Sequence, residues 1–124
     1  MLNGTGKVSF KMAAQDTYPL NGVNNATDME AVSRYNDFTF GIMGNPIYLG
    51  QKIPNSVLNT PNVNITAWTD EEIEYINGTS DFFAFDTYNA ILMTAPAGGI
   101  QDCIGNSSNA NWPSCAAQTD TNCN

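Results

Sequence analysis

The chain has 124 residues with 12 acidic and 4 basic side chains, so its net charge is −8 at neutral pH. This length allows one domain at most. The acidic balance argues against binding to nucleic acid or to anionic membranes, because both require basic surface. No apolar run approaches the roughly 20 residues of a transmembrane helix. The chain has no histidine, which removes the commonest general base and metal ligand.

The amino-terminal part of the chain predicts a strand followed by a helix. Residues 6 to 12 alternate polar and apolar side chains, which is typical of a strand. Residues 13 to 26 are predicted to be a loop. Thr27 and Glu30 then form a candidate capping box. The helix is predicted to end at Gly44, and its core-facing stripe consists of Ala31, Tyr35, Phe38 and Ile42.

A long connection and a short helix are predicted next. Residues 45 to 67 contain three prolines and form a connection of unusual length for a compact domain. Thr69 and Glu72 predict a capping box at the start of the short helix. Asn77-Gly78 predicts its end, since glycine accepts the left-handed conformation found after a helix.

A short apolar run predicts a second strand. Phe82-Phe83-Ala84-Phe85 is typical of a parallel strand that is buried on both faces, and we place this strand at residues 81 to 86. Asp86 and Tyr88 then lie at its carboxyl end, where α/β folds place their chemistry. A strand, a long crossover and a strand predict a right-handed βαβ unit with parallel strands.

The run from Trp68 to Tyr88 resembles glycoside hydrolase family 1, the retaining β-glucosidases. That family carries Phe-Thr-x-Glu-Glu, a short helix, and Gly-Thr-x-Asp-Phe-x-Gly-x-Asn-x-Tyr at its sixth barrel strand. The resemblance covers most of residues 6 to 92, because further motifs precede this run in the family's order. They are Gly6-Lys7-Val8-Ser9-Phe10 with Pro19-Leu20, Asp28-Met29-Glu30-Ala31-Val32-Ser33-Arg34, and Asn45-Pro46-Ile47-Tyr48.

The resemblance implies an α/β fold, a partial TIM (β/α)8 barrel that covers the fifth and sixth strands as a βαβ-type unit with long loops. A complete barrel needs roughly 250 residues, so this chain cannot form one. We expect residues 1–94 to be the partial barrel segment. We expect residues 95–124 to be a truncated loop or tail that contains the cysteines.

The implied function is that of part of a secreted retaining β-glucosidase, which hydrolyses terminal β-D-glucosyl bonds of β-glucosides or oligosaccharides such as cellobiose. A retaining glycosidase needs an acid/base carboxyl and a nucleophilic carboxylate. The family carries them in Thr-Phe-Asn-Glu-Pro and Thr-Glu-Asn-Gly, and neither motif occurs here. We therefore expect the chain alone to be inactive. The alternative is a truncated secreted glycoprotein without catalysis that binds sugar weakly at most.

Two candidate site residues lie at the end of the second strand. The resemblance implies that Tyr88 hydrogen-bonds the nucleophilic carboxylate and favours its charged form; the alternative is an ordinary buried aromatic. Asp86 takes the place of the family's Asn, where it either contacts sugar hydroxyls or caps the following turn. Its extra negative charge would raise the pKa of nearby catalytic carboxyls. Ala84 replaces the family's Gly.

Other candidates have simpler explanations. Trp112 lies after the sixth strand and is a candidate for stacking on a sugar, whereas packing is expected of Trp68. Asp16 and Asp81 are candidate acids, but Asp81 matches a family position before the strand, where a structural role is expected. A solvated helix start, where the helix dipole favours anions, is expected of Asp70, Glu71, Glu72 and Glu74.

Sequons and cysteines indicate secretory chemistry. Asn-x-Ser/Thr sequons, candidate glycosylation sites, begin at Asn3, Asn25, Asn64, Asn77 and Asn106. Residues 1 to 10 do not form a signal peptide. Three cysteines allow three pairings; Cys103–Cys115 is our first choice, which leaves Cys123 without a partner. Without histidine or a Cys-x-x-Cys pair we expect no metal, and no cofactor is implied.

Overall fold

The computed structural model describes residues 4–120, which form two small sheets with helices packed against them. This part of the chain contains five α-helices and five strands. In order they are β1 (Lys11–Ala13), β2 (Asp16–Pro19), α1 (Ala26–Asn36), α2 (Ile42–Gly44), α3 (Asn55–Leu58), α4 (Asp70–Ile76), β3 (Ala84–Asp86), β4 (Ala90–Thr94), α5 (Ile100–Ile104) and β5 (Ala117–Asp120). Two π-helical segments flank α2, at Asp37–Gly41 and Asn45–Leu49.

The two strands that the sequence predicts pair in parallel, as expected. β1 pairs with β3, with Lys11 opposite Ala84. β2 pairs in parallel with β4, and β5 lies antiparallel on the other edge of β4. The Asp16 amide donates to the Asn89 carbonyl at 3.0 Å, between the two pairings. The two parallel pairs are therefore successive parts of one strand–strand contact.

Strand boundaries differ from those predicted. Regular backbone pairing begins only at Lys11 and Ala84. Before these residues a side chain takes part in the contact between the two segments, because the Val8 amide donates to Asp81 Oδ2 at 2.6 Å. The prediction that residues 13 to 26 are a loop is wrong, since they contain β2. Its side chains alternate between exposed and half-buried, so β2 lacks the strong apolar alternation that marks a strand.

The first helix begins earlier and the helical path ends later than predicted. Asn25, and not Thr27, is the N-cap, and its side chain accepts a hydrogen bond from the Asp28 amide. Gly44 does not end the helical path, because its backbone is right-handed helical. The path continues through the π-helical segment to Gly50, whose φ of 61° ends it. The predicted connection of residues 45 to 67 thus begins with helix and also holds α3.

The short helix α4 is confirmed with both of its ends. The Thr69 hydroxyl accepts from the Glu72 amide at 3.2 Å, and the Glu72 carboxylate accepts from the Thr69 amide at 2.8 Å. Asn77 is the C-cap, and Gly78 follows with φ of 73°. Local capping chemistry therefore fixes this element.

The main core lies between α1 and β4 and includes residues from the carboxyl-terminal part of the chain. Cys103 and Cys115 form a disulfide, which typically contributes about 2–4 kcal/mol by constraining the unfolded chain. Cys123 lies outside the described residues. The division of the chain after residue 94 stays a prediction, but α5 and β5 pack with the preceding segment. The buried cluster consists of Ala31, Ile91, Met93, Ile100, Cys103, Cys115 and Ala116.

The sheet formed by β1 and β3 is covered on one face only. Phe83 contacts the ring of Tyr48 at 5.2 Å and Phe85 that of Phe40 at 4.8 Å, both on the π-helical segments. The other face carries Lys11 and Ala13, which are exposed, and Phe82, just before β3, is 49% exposed. The prediction of a strand buried on both faces is thus wrong for this chain, because residues 4–120 supply no layer over the second face.

We expect the isolated chain to self-associate. Exposed aromatic side chains favour contacts between copies, as do the outer edges of β1 and β3, which pair with no other strand within residues 4–120. Sedimentation velocity should show sedimentation coefficients that rise with concentration across the micromolar to millimolar range where exposed apolar surface drives aggregation. A single monomeric species throughout that range would contradict this expectation.

Candidate functional site

An ion pair connects the two parallel strands of the first sheet. Lys11 Nζ lies 2.5 Å from Asp86 Oδ2. The contact is diagonal, because Lys11 is opposite Ala84 and Asp86 is opposite Ala13. Side chains alternate along a strand, so these four residues share one face. This face is the one turned away from the helices, since Met12 on the opposite face of β1 is buried.

The ion pair is partly shielded from solvent. The Lys11 side chain is 61% exposed and that of Asp86 is 37% exposed. The pKa of Lys11 is raised, first by its hydrogen bond to Asp86 and then by the charge of that carboxylate, with a smaller contribution from Tyr88. Asp86 therefore carries a bound counter-ion at the end of β3. The sequence interpretation of Asp86 as an unbalanced added charge omitted this partner.

Tyr88 follows β3 by two residues and is 80% exposed. It is therefore not a buried aromatic within this chain. Contact of Tyr88 with a nucleophile and of Asp86 with sugar stay predictions.

Trp112 lies apart from this group. Its ring is partly buried against the core cluster between α1 and β4. Its indole Nε1 is buried and finds no hydrogen-bond partner among the described residues. Within residues 4–120 no hydrogen bond or ring contact joins Trp112 to Asp86 or Tyr88. Sugar stacking by Trp112 stays a prediction.

Arg34 is a buried structural cation that the sequence showed only as part of a motif. Its Nε donates to the Ser114 carbonyl at 2.8 Å, and its Nη2 donates to the Pro113 carbonyl at 3.1 Å and to Thr60 Oγ1 at 3.0 Å. Burial lowers the pKa of Arg34, but a guanidinium keeps its charge in proteins. Arg34 thus ties α1 to the loop that carries Trp112. An arginine at the edge of the apolar stripe of the predicted helix was the available signal.

Asp28 is a second buried anchor. Its Oδ1 accepts from Thr94 Oγ1 at 2.7 Å, and its Oδ2 accepts from the backbone and side-chain amides of Asn21 at 2.7 and 2.8 Å. These bonds join the start of α1 to the end of β4. The hydrogen bond from Thr94, with those from Asn21, lowers the pKa of Asp28 although desolvation acts in the opposite direction.

Asp28 predicts a loss of stability in acid. Because its folded pKa lies below the unfolded value of about 3.9, its contribution is complete above that value and is lost as the pH falls through the folded pKa. The thermal midpoint of the dilute chain should therefore fall below about pH 4. Asp28→Asn should lower the midpoint at pH 7 and flatten this acid dependence. Equal pH dependence of both proteins in circular dichroism melts would contradict the assignment.

The remaining acidic candidates have structural or solvated positions. Asp70 pairs with Lys52 at 2.8 Å, with both side chains exposed. Asp16 Oδ2 accepts from the hydroxyl of Tyr18 at 2.7 Å, and Asp81 holds the amide of Val8. An open groove of about 310 Å³ on α4 is lined by Trp68, Glu71, Glu72, Tyr75 and Ile76.

Three of the sequon asparagines are exposed: Asn64, Asn77 and Asn106. Asn25 is half-buried and serves as the cap of α1, and Asn3 lies outside the described residues. Glycosylation at these positions stays a prediction.

Between residues 4 and 120, no helix has both the length and the apolar character needed to span a membrane. In the same part of the chain, no three His, Cys, Asp or Glu side chains are grouped to hold a metal ion.

Comparisons with known proteins agree on one family. The model of Glycosyl hydrolase family 1 matches residues 2–119. Myrosinase 1 of Brevicoryne brassicae is 29% identical over 98 residues, which cover 72% of this chain and 21% of that protein. Beta-glucosidase 2 of Oryza sativa subsp. japonica is 28% identical over 105 residues, which cover 83% of this chain and 20% of that protein.

Solved structures show the same fold. The chain superposes on beta-glucosidase 2 of the fungus Trichoderma reesei with a TM-score of 0.70 at 20% identity, covering 98% of this chain and 24% of that structure. The predicted partial TIM barrel is confirmed. The described residues do not close a barrel by themselves. The chain spans about a fifth of the length of these curated relatives. With the family model matched over residues 2–119, the chain belongs to Glycosyl hydrolase family 1.

Proposed function

We propose that this chain supplies the fifth and sixth barrel strands of a secreted retaining β-glucosidase. The observation that carries the proposal is the family match over residues 2–119. The parallel pairing of β1 with β3 supports it, because this pairing brings the side chain of Lys11 to Asp86, the residue at the carboxyl end of β3. In a TIM barrel the active site lies at that end of the strands.

The uncovered face of the first sheet is the proposed barrel interior. Its side chains point away from the helices that would form the outer ring. On this face Tyr88 would donate its hydroxyl to the nucleophilic glutamate, and Asp86 would lie beside the sugar. The acid/base and nucleophilic glutamates would come from outside these 124 residues, since neither family motif that carries them occurs here.

The same missing motifs favour a second candidate function. A secreted glycoprotein without catalysis would need neither glutamate, and the exposed sequon at Asn64 would suit it as well as an enzyme. Hydrolysis of a chromogenic β-glucoside separates the two functions, provided that the missing strands and glutamates are supplied.

The test is a hybrid enzyme. Residues 6–120 replace the corresponding segment of a complete β-glucosidase of the family, which keeps its own catalytic glutamates. We expect this hybrid to release 4-nitrophenol from 4-nitrophenyl β-D-glucoside and not from the α-glucoside. Lys52→Met, which removes an exposed ion pair on another part of the surface, is the matched control and should not change the rate. A folded hybrid that leaves the β-glucoside intact would contradict the proposal.

A further inference from the structure

We propose that Lys11 is the positioning residue of Asp86, so that the two side chains act as one neutral unit on the sheet face that meets the sugar. This inference rests on the proposed function, because it assigns that face to the interior of the barrel. It adds a residue from the neighbouring strand to the site, and a second charge that balances the first.

The geometry supports a fixed pair and not a chance surface contact. Lys11 and Asp86 are on adjacent strands whose register is set by backbone pairing, so their Cβ atoms are held in reach of each other. Asp86 is 37% exposed, whereas Asp70 in the ion pair with Lys52 is 82% exposed. The chain has 4 cationic side chains in all, and one of them lies at this carboxylate.

The pair leaves complementary groups free for a sugar. Lys11 uses one of its three ammonium hydrogens on Asp86 Oδ2, which leaves donors available. Asp86 Oδ1 remains an acceptor beside them. A donor and an acceptor side by side suit a neutral polyol, whose hydroxyl groups both donate and accept.

Neutrality of the pair has a consequence for the catalytic carboxyls of a complete barrel. With both members present, their charges largely cancel at a distance. Lys11→Met would leave the negative charge of Asp86, which raises the pKa of nearby carboxyls. Asp86→Asn would leave the positive charge of Lys11, which lowers it. Tyr88 is the other titratable group that acts on the pair, and it stays unchanged in both variants.

The experiment is the pH dependence of kcat/KM for the hybrid enzyme. Lys11→Met should move both limbs of the bell-shaped profile to higher pH, and Asp86→Asn should move both to lower pH, each by about half a unit to one unit. The double variant should return both limbs towards the parent profile. Lys52→Met and Asp70→Asn, the matched pair elsewhere on the surface, should leave the limbs unmoved.

Three outcomes would overturn the proposal: shifts in the same direction for both single variants, no shift in either, or a double variant whose pH profile does not return towards that of the parent.

A second measurement does not need enzyme activity. The ammonium of Lys11 is titrated through its 13Cε resonance, in the chain and in the hybrid. Asp86→Asn should lower the pKa of Lys11 and leave that of Lys52, and Asp70→Asn should do the reverse. An unchanged Lys11 pKa would overturn the proposal even in an inactive hybrid, whose inactivity would count against the proposed function alone.

Discussion

The isolated chain is expected to release no measurable 4-nitrophenol from 4-nitrophenyl β-D-glucoside. Retaining hydrolysis needs two carboxyl groups about 5–5.5 Å apart across the scissile bond, one as acid and one as nucleophile. A general acid alone contributes about 10²–10⁴ in rate, and loss of the nucleophile removes the covalent route as well. The family motifs that carry both groups are absent from these 124 residues, so turnover should fall to background.

A long incubation at high chain concentration checks this expectation, with the hybrid enzyme as positive control. Turnover above background that disappears with Asp86→Asn or Tyr88→Phe would contradict it. Such a result would mean that the carboxylates of this chain support a different mechanism.

In the hybrid, Tyr88→Phe is expected to lower kcat more than it raises KM. The hydroxyl is proposed to donate to the nucleophilic glutamate, whose charge changes along the reaction. Loss of one hydrogen bond to a charged group costs about 1.5–3 kcal/mol, which corresponds to roughly tenfold to more than a hundredfold in rate. Steady-state kinetics on the β-glucoside measure the two constants separately.

The control for this substitution is Tyr75→Phe, which removes the hydroxyl of an exposed tyrosine on α4 and should change neither constant. If Tyr88→Phe leaves kcat unchanged, the assigned role is wrong. If KM alone rises, the hydroxyl contacts the sugar equally in the ground and transition states.

Local chemistry explains which elements could be predicted from the sequence. The boundaries of α4 follow from Thr69, Glu72 and Gly78, which act within a few residues of the helix ends. In contrast, β2 is defined by its pairing with β4, more than 70 residues later, and carries no apolar pattern of its own. The helical path beyond Gly44 was missed because glycine also adopts helical backbone when tertiary packing favours it.

The same contrast between local signals and distant partners applies to the candidate site. Asp86 and Tyr88 could be proposed as candidates from the sequence because they lie at the end of a recognisable strand. The counter-ion Lys11 was missed, since it is 75 residues distant in sequence. The anchors Asp28 and Arg34 bind partners 66 and 80 residues away. The phenylalanines of the second strand carry a pattern for burial on both faces, whereas residues 4–120 cover only one.

The most direct test of the central claim is protection of Asp86→Cys by a bound glucose-like inhibitor in the hybrid. Modification of this thiol by a maleimide should slow by about tenfold at an inhibitor concentration ten times its dissociation constant. Ala84→Cys on the same face serves as a second probe, and Tyr75→Cys on α4 as the unprotected control. If the account is correct, the inhibitor slows modification at positions 84 and 86 and leaves position 75 unaffected. Modification rates at positions 84 and 86 that do not change when the inhibitor binds would contradict it.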